Sequence, residues 1–142
     1  MEFTDIAMEL SKEAWQASFQ HPFVLQLQEG TLEPSIFRYY LIQDAYYLKS
    51  FSEAYHLLAD KTSNEEMKRL LKQNAQSLVE GELFIRQQFF KELGISDQEM
   101  DEQPIAPTCY HYISHIYRQF AEPNLGIAFA SLLPCPWLYH DL

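Results

Sequence analysis

The stretch PSIFRYYLIQDAYYLKSFSEAY, residues 34–55, decides the fold. After Pro34, the side chains of Phe37, Tyr40, Leu41, Asp44, Tyr47, Leu48, Phe51 and Tyr55 recur every three or four positions. That is the period at which positions return to one side of an α-helix. A proline suits the first helical turn, where its missing N–H would have had no partner. The spacing predicts a long helix that begins after Glu33 and ends near Asp60.

Outward from this segment the same period continues in both directions, without strand-like alternation and without Asn-Gly or Asp-Gly hairpin signals. The expected class is therefore all-α. Upstream, a helix is expected from Phe3 to Phe19, ending near His21-Pro22, then a short one from Pro22 to Glu29 that Gly30 breaks. Downstream, Ser63 with Glu66 three residues on reads as a capping box, opening a helix that runs to Leu93 and closes at Gly94. Ser96 and Glu99 repeat the pattern over a short turn, and Asp101 to Pro107 reads as a polar loop. Thr108 is expected to cap a helix through about Ala121, and Glu122-Pro123-Asn124 marks a turn before a last helix from Leu125. In that helix the run Leu-Leu-Pro-Cys-Pro-Trp-Leu-Tyr, residues 132–139, sets a thiol between Pro134 and Pro136, which are expected to kink it around Cys135.

At 142 residues and 16.7 kDa the expectation is one helical domain over residues 1–142. The pattern is still strongly apolar where the sequence stops at Leu142, which predicts either further helices or an oligomer covering that face. Twenty acidic residues against ten basic ones give a formal net charge of −10. With no basic stripe, nucleic acid and anionic membranes are excluded as partners on electrostatic grounds. The N-terminus lacks a signal-peptide pattern and no apolar run reaches membrane-spanning length, so a cytoplasmic location is expected. Cys109 and Cys135 make no zinc-type spacing and read as reduced thiols.

Asp44 shares a helix face with Tyr40, Tyr47 and Phe51. If that face is buried, the carboxylate needs donors, a raised pKa or a water-filled cavity, each of which suits a polar ligand pocket. The alternatives are a solvent-exposed face or a tyrosine hydroxyl that satisfies the acid. Cys135 and Tyr139 lie four apart on one face, so the hydroxyl stands near the sulfur or near whatever it binds. A thiol reacts as thiolate, and activation calls for a donor or cation that the sequence does not identify; otherwise Cys135 is a small apolar filler. His111 and His115 have metal-compatible spacing but no further ligand set, so they read as ordinary polar residues and no metal is expected. Trp15 and Trp137 read as core residues.

His21-Pro22-Phe23-Val24, Gly30-Thr31-Leu32, Phe37, Tyr40, Gln43-Asp44-Ala45-Tyr46-Tyr47-Leu48 and Phe51 together resemble the TenA/thiaminase II family. In the same order come Phe89 to Ser96, with its Leu-Gly-Ile-Ser ending, Pro107-Thr108 leading to Tyr112, and Leu132 to Tyr139. The resemblance covers essentially the whole chain. It implies a multi-helix bundle of the TenA/haem-oxygenase-like type, usually a homotetramer, that hydrolyses aminopyrimidines derived from thiamin and uses no cofactor. It further implies that Cys135 is the nucleophile, that Asp44 contacts the ring nitrogen and amino group of the pyrimidine, and that Tyr47, Tyr112 and Tyr139 line the pocket.

Family chains continue through further helices, which supply a glutamate expected to protonate the ring; this sequence ends before them. Losing a general acid costs on the order of a hundredfold, so weak turnover is expected of these 142 residues. A helical pyrimidine-binding protein without catalysis is the alternative expectation. A DNA-binding regulator, the family's historical label, is opposed by the acidic charge.

Overall fold

The computed structural model describes residues 2–142, and among them regular structure is entirely helical. α1 (Phe3–Phe19) starts where the Glu2 N–H donates to the Asp5 carboxylate at 2.9 Å. α2 (Pro22–Glu29) carries Pro22 in its first turn and is capped by His21 Nδ1, which accepts from the Phe23 N–H at 3.1 Å. Gly30 closes α2 in the left-handed region at φ 71°, where a Cβ would be strained.

α3 (Pro34–Lys61) is the long helix that the sequence predicts, and the rest of the molecule is built on it. From it Tyr47, Leu48, Phe51, Ala54, Leu58 and Ala59 enter the main core, where they meet Leu71, Ile116, Phe120, Ala128 and Leu132. A smaller cluster higher on the same helix joins Leu41 and Ile42 to Ile95. Three polar side chains of α3 also fasten residues 93–106: Arg38 donates to Glu99 at 2.6 Å and also to the Leu93 carbonyl, and Tyr46 donates to the Met100 carbonyl at 2.8 Å. Gln43 is buried and brackets the loop 103–106, donating to the Pro104 carbonyl at 3.0 Å and accepting from the Ala106 N–H at 2.7 Å. Loop backbone groups that would otherwise be buried without partners are thereby satisfied.

α4 (Glu65–Ser77) begins one residue later than the capping-box reading: Asn64, not Ser63, accepts from the Met67 N–H at 2.9 Å. Asn64 is itself held by Thr62, whose hydroxyl accepts its N–H at 3.3 Å, so the cap shifts to the residue whose amide reaches the first turn. The expected single helix to Leu93 is interrupted by a π-helical turn, Leu78–Glu82, and resumes as α5 (Leu83–Leu93), which Gly94 ends at φ 63°. α6 (Asp97–Glu102) is capped by Ser96, as its spacing with Glu99 predicts. α7 (Pro107–Gln119) starts at Pro107, so Thr108 lies inside the first turn rather than capping it.

α8 (Leu125–Leu132) is capped by Asn124, and α9 (Pro134–Asp141) follows after the single residue Leu133. The double proline therefore interrupts the helix at Leu133, whose backbone keeps right-handed helical angles of φ −66° and ψ −41°. Pro134 and Pro136 fall in the first turn of α9, where N–H groups have no intrahelical acceptor, and the Trp137 N–H makes the first bond of the new helix to the Leu133 carbonyl at 3.2 Å.

Leu58 is fully buried at the centre of the main core. Leu58→Ala is expected to cost about 2–5 kcal/mol through lost transfer energy and the cavity left behind. Urea titration checks this as a lower unfolding midpoint at an unchanged slope.

Candidate active site

Asp44 projects from α3 into a wall of aromatic side chains and is nearly buried, with its side chain 10% exposed. An isolated carboxylate would be costly there. Its partner is Arg86 of α5, equally buried, whose Nη2 forms an ion pair with Asp44 Oδ2. This settles which of the sequence alternatives satisfies the acid: an arginine, rather than solvent or a tyrosine hydroxyl.

The π-helical turn explains how Arg86 arrives. One extra residue in a turn rotates everything after it by roughly 100° relative to a continuous α-helix. The turn contains Gly81. It also sets Glu82 beside the ion pair: Arg86 Nη1 donates to the Glu82 carbonyl at 3.2 Å and stands 3.8 Å from its carboxylate. The sequence reading missed Arg86 because a straight helix from residue 63 to 93 gives it no special direction. A signal was present, since Arg86 is the only basic residue between Lys72 and Lys91 and sits in the apolar run LFIRQQFF, residues 83–90.

Beside this ion pair lies a cavity of about 410 Å³. Asp44 and Tyr47 reach it from α3, Tyr112 from α7, and Cys135 and Tyr139 from α9. All five residues singled out in the sequence thus line one hollow, whose volume falls in the range of small-molecule sites. Trp15, Tyr40, Gln43, Thr108, Cys109 and Leu138 complete much of its wall. Trp15 and Trp137 are not core residues: neither is buried, their rings meet edge to face at 5.5 Å, and Trp15 belongs to the cavity. Their large flat rings, with one N–H to satisfy, suit a half-open wall better than a dry interior. His111 and His115 are both exposed on α7 and take no part in the cavity.

The tyrosine wall is pre-stacked. Tyr47 and Tyr112 lie nearly parallel, with centroids 5.5 Å apart at 13°, and Phe51 extends the stack behind Tyr47 at 5.3 Å. A flat ring inserted between Tyr47 and Tyr112 would need about 7 Å, two van der Waals gaps, so an aromatic ligand stacks on the outside of this pair. At the rim, Tyr139 is 57% exposed, and its hydroxyl meets that of Tyr40 at 3.2 Å.

The Cys135 thiol rests protonated. Burial pushes its pKa up and the Glu82 carboxylate adds to the rise, while the neighbouring Tyr47 hydroxyl, which is buried without a hydrogen-bond partner of its own, works against it. Burial likewise raises the phenols of Tyr47 and Tyr112, Tyr47 most of all, so both stay neutral donors. The cavity therefore combines a paired carboxylate, neutral hydroxyl donors, a shielded thiol and stacked aromatic faces. That set can bind a flat nitrogen heterocycle and bring a nucleophile to it.

Comparison with known proteins places this geometry among relatives. The TENA/THI-4/PQQC family profile matches residues 10–142. The aminopyrimidine aminohydrolase of Bacillus subtilis strain 168 is 34% identical over 142 residues, all of this chain and 60% of that protein. The aminopyrimidine aminohydrolase of Halalkalibacterium halodurans is 27% identical, again over all of this chain and 63% of that protein. Among solved structures, a TenA homologue from P. horikoshii OT3 superposes with a TM-score of 0.89 at 27% identity, covering 99% of this chain and 66% of that one. A TenA family transcription regulator from Silicibacter sp. TM1040 reaches a TM-score of 0.90 at 24% identity, with 62% of that chain covered, a likeness of fold. The chain spans about three-fifths of the length of these curated relatives.

The thiol's surroundings predict how its reactivity responds to pH. In a Cys109→Ser background, the midpoint of Cys135 alkylation by iodoacetamide is expected above that of an ordinary thiol. Glu82→Gln is expected to lower that midpoint and Tyr47→Phe to raise it, since the first removes a repelling charge and the second a donor. Stopped alkylation assays across alkaline pH measure all three; midpoints that do not move would contradict the assigned surroundings.

Proposed function

The chain belongs to the TENA/THI-4/PQQC family, and from that premise we propose that it acts on thiamin-derived aminopyrimidines, hydrolysing aminomethylpyrimidine to hydroxymethylpyrimidine and ammonia in thiamin salvage. The observation that carries this reading is the convergence of Asp44 and Cys135 on one aromatic-walled cavity. The names of the relatives from Bacillus subtilis and Halalkalibacterium halodurans support the reaction class. Residence in the cytoplasm and assembly as a homotetramer belong to the same proposal and rest on the family resemblance. Among the described residues, no helix is long and apolar enough to cross a membrane.

In the proposed reaction, the heterocycle stacks on the outer face of Tyr112, whose other face meets Tyr47, while Asp44 accepts from its amino group. The thiolate of Cys135 adds to a ring carbon, and a ring nitrogen takes up a proton. The electron pair gained by the ring then expels the amine from the adjacent methylene, and the amine leaves as ammonia after protonation. Water adds to the exocyclic methylene so formed. Departure of the Cys135 sulfur restores the aromatic ring. Each part is needed for a physical reason: direct displacement at the methylene is slow, whereas a covalent adduct makes the leaving group allylic to an electron-rich enamine. The Tyr47 hydroxyl, the neighbour that eases thiol ionisation, and Tyr139 at the rim donate to the bound ring or to the incoming water.

The alternative, a pyrimidine-binding protein without turnover, differs in one measurable respect. Incubation of the protein with aminomethylpyrimidine is expected to release ammonia at a rate that Cys135→Ala lowers by about a thousandfold or more, while Cys135→Ala still binds hydroxymethylpyrimidine. Ammonia release that is unchanged by Cys135→Ala would overturn the nucleophile. Binding with no ammonia from the parent protein would favour the non-catalytic reading.

A further inference from the structure

We propose that Arg86 is a positioning residue that keeps Asp44 as a carboxylate, so that the site takes its aminopyrimidine as the ring-protonated cation. This rests on the pyrimidine reading of the cavity and deepens it. The starting point is geometric: Arg86 is buried, it reaches Asp44 because of the π-helical turn, and its Nη2 is paired with Asp44 Oδ2. Asp44 in turn lines the cavity.

An aminopyrimidine presents an amino donor beside a ring nitrogen that is an acceptor when neutral. A carboxylate can accept from the amino group, but its second oxygen then faces the ring lone pair. One proton removes that clash, and it can sit in either of two places: on Asp44, giving a neutral acid beside a neutral ring, or on the ring, giving a carboxylate beside a cation.

Arg86 decides between them. Its guanidinium touches Asp44, whereas the ring lies on the far side of the carboxylate, so its attraction for the ionised acid exceeds its repulsion of the protonated ring. Guanidinium does not give up its proton under these conditions. Of the remaining charged and titratable groups around the pair, the Glu82 carboxylate offsets part of the guanidinium charge and the tyrosines contribute none. Glu82 stands 3.8 Å from Arg86, while burial keeps Tyr40 neutral and Tyr139 stands at the exposed rim.

Two consequences follow. The protonated ring is a better acceptor of a sulfur nucleophile, because the electron pair it receives neutralises an existing charge. The ligand also brings into the cavity the positive charge that the Cys135 thiol lacks among its neighbours, so substrate binding itself favours the thiolate. Arg86 thus acts through Asp44 and touches no reacting atom.

The test is proton linkage on binding, measured by calorimetry with hydroxymethylpyrimidine in buffers of different ionisation enthalpy, at a pH where the free ligand is neutral. The parent protein is expected to take up about one proton per ligand bound. Arg86→Met and Asp44→Asn are expected to take up none, and Arg86→Lys, which keeps the charge, to restore uptake. In parallel, the NMR shift of an isotope-labelled ring nitrogen is expected at the protonated position in the parent and at the neutral position in Asp44→Asn. Should Arg86→Met fold poorly, the parent, Arg86→Lys and Asp44→Asn carry the test unaided. Binding by the parent without proton uptake, a neutral ring signal in the parent complex, or equal uptake by a folded Arg86→Met would overturn the role of Arg86 and leave the pyrimidine site standing. Absence of any binding by the parent would instead overturn the reading of the cavity itself.

Discussion

A carboxylate held inside an aromatic wall needs a compensating partner, here the Arg86 guanidinium, and that constraint organises this molecule. Removing one member of such a buried pair leaves an uncompensated charge, typically at a cost of several kcal/mol. Asp44 is placed by α3 and Arg86 by α5, so the pair fixes the rotation of α5 about its own axis as well as the chemistry of the cavity. The π-helical turn is then intelligible as the local irregularity that lets one helix serve two ends. Before it, α4 packs Leu71 and Ala75 onto α3; after it, Arg86 reaches the same helix at Asp44.

α3 performs two kinds of work along its length. Its apolar positions make the core, and its polar positions replace the partners that a loop would otherwise seek in water. Gln43 is the clearest case: its amide ties both sides of the loop before α7, and its backbone carbonyl accepts the Cys109 thiol at 3.6 Å. The next residue is Asp44. The start of α7, which carries Tyr112, is therefore positioned by a residue adjacent to Asp44, and both Asp44 and Tyr112 line the cavity. Local sequence proximity is converted into agreement between the two walls.

Much of this was legible in the amino-acid sequence because it depends on local chemistry. The bounds of α1, α2 and α3 follow from apolar period, from prolines in first turns and from a glycine free to take positive φ. Helical spacing and family resemblance both point at Asp44, Tyr47, Cys135 and Tyr139, and resemblance alone adds Tyr112. What the sequence hid is what depends on tertiary competition. Ser63 and Asn64 are both good caps, and which one serves depends on how Thr62 holds the turn. Thr108 resembles a cap, yet Pro107 takes the first helical position and turns Thr108 toward the cavity. The π-helical turn has no pattern of its own, and without it the direction of Arg86 could not be read.

Trp15 shows a last consequence of the arrangement. α1 has no buried residue, and its indole N–H donates to the Asp141 carboxylate at 3.1 Å while its ring meets Trp137 edge to face. The same indole forms part of the cavity wall. One panel of the binding chamber therefore hangs on a helix with no buried side chain, moored through α9, the helix that also carries the thiol. Occupancy and mooring are thermodynamically linked in both directions: a guest that packs against the indole holds the N-terminal helix down, and whatever steadies that helix tightens the hold on the guest.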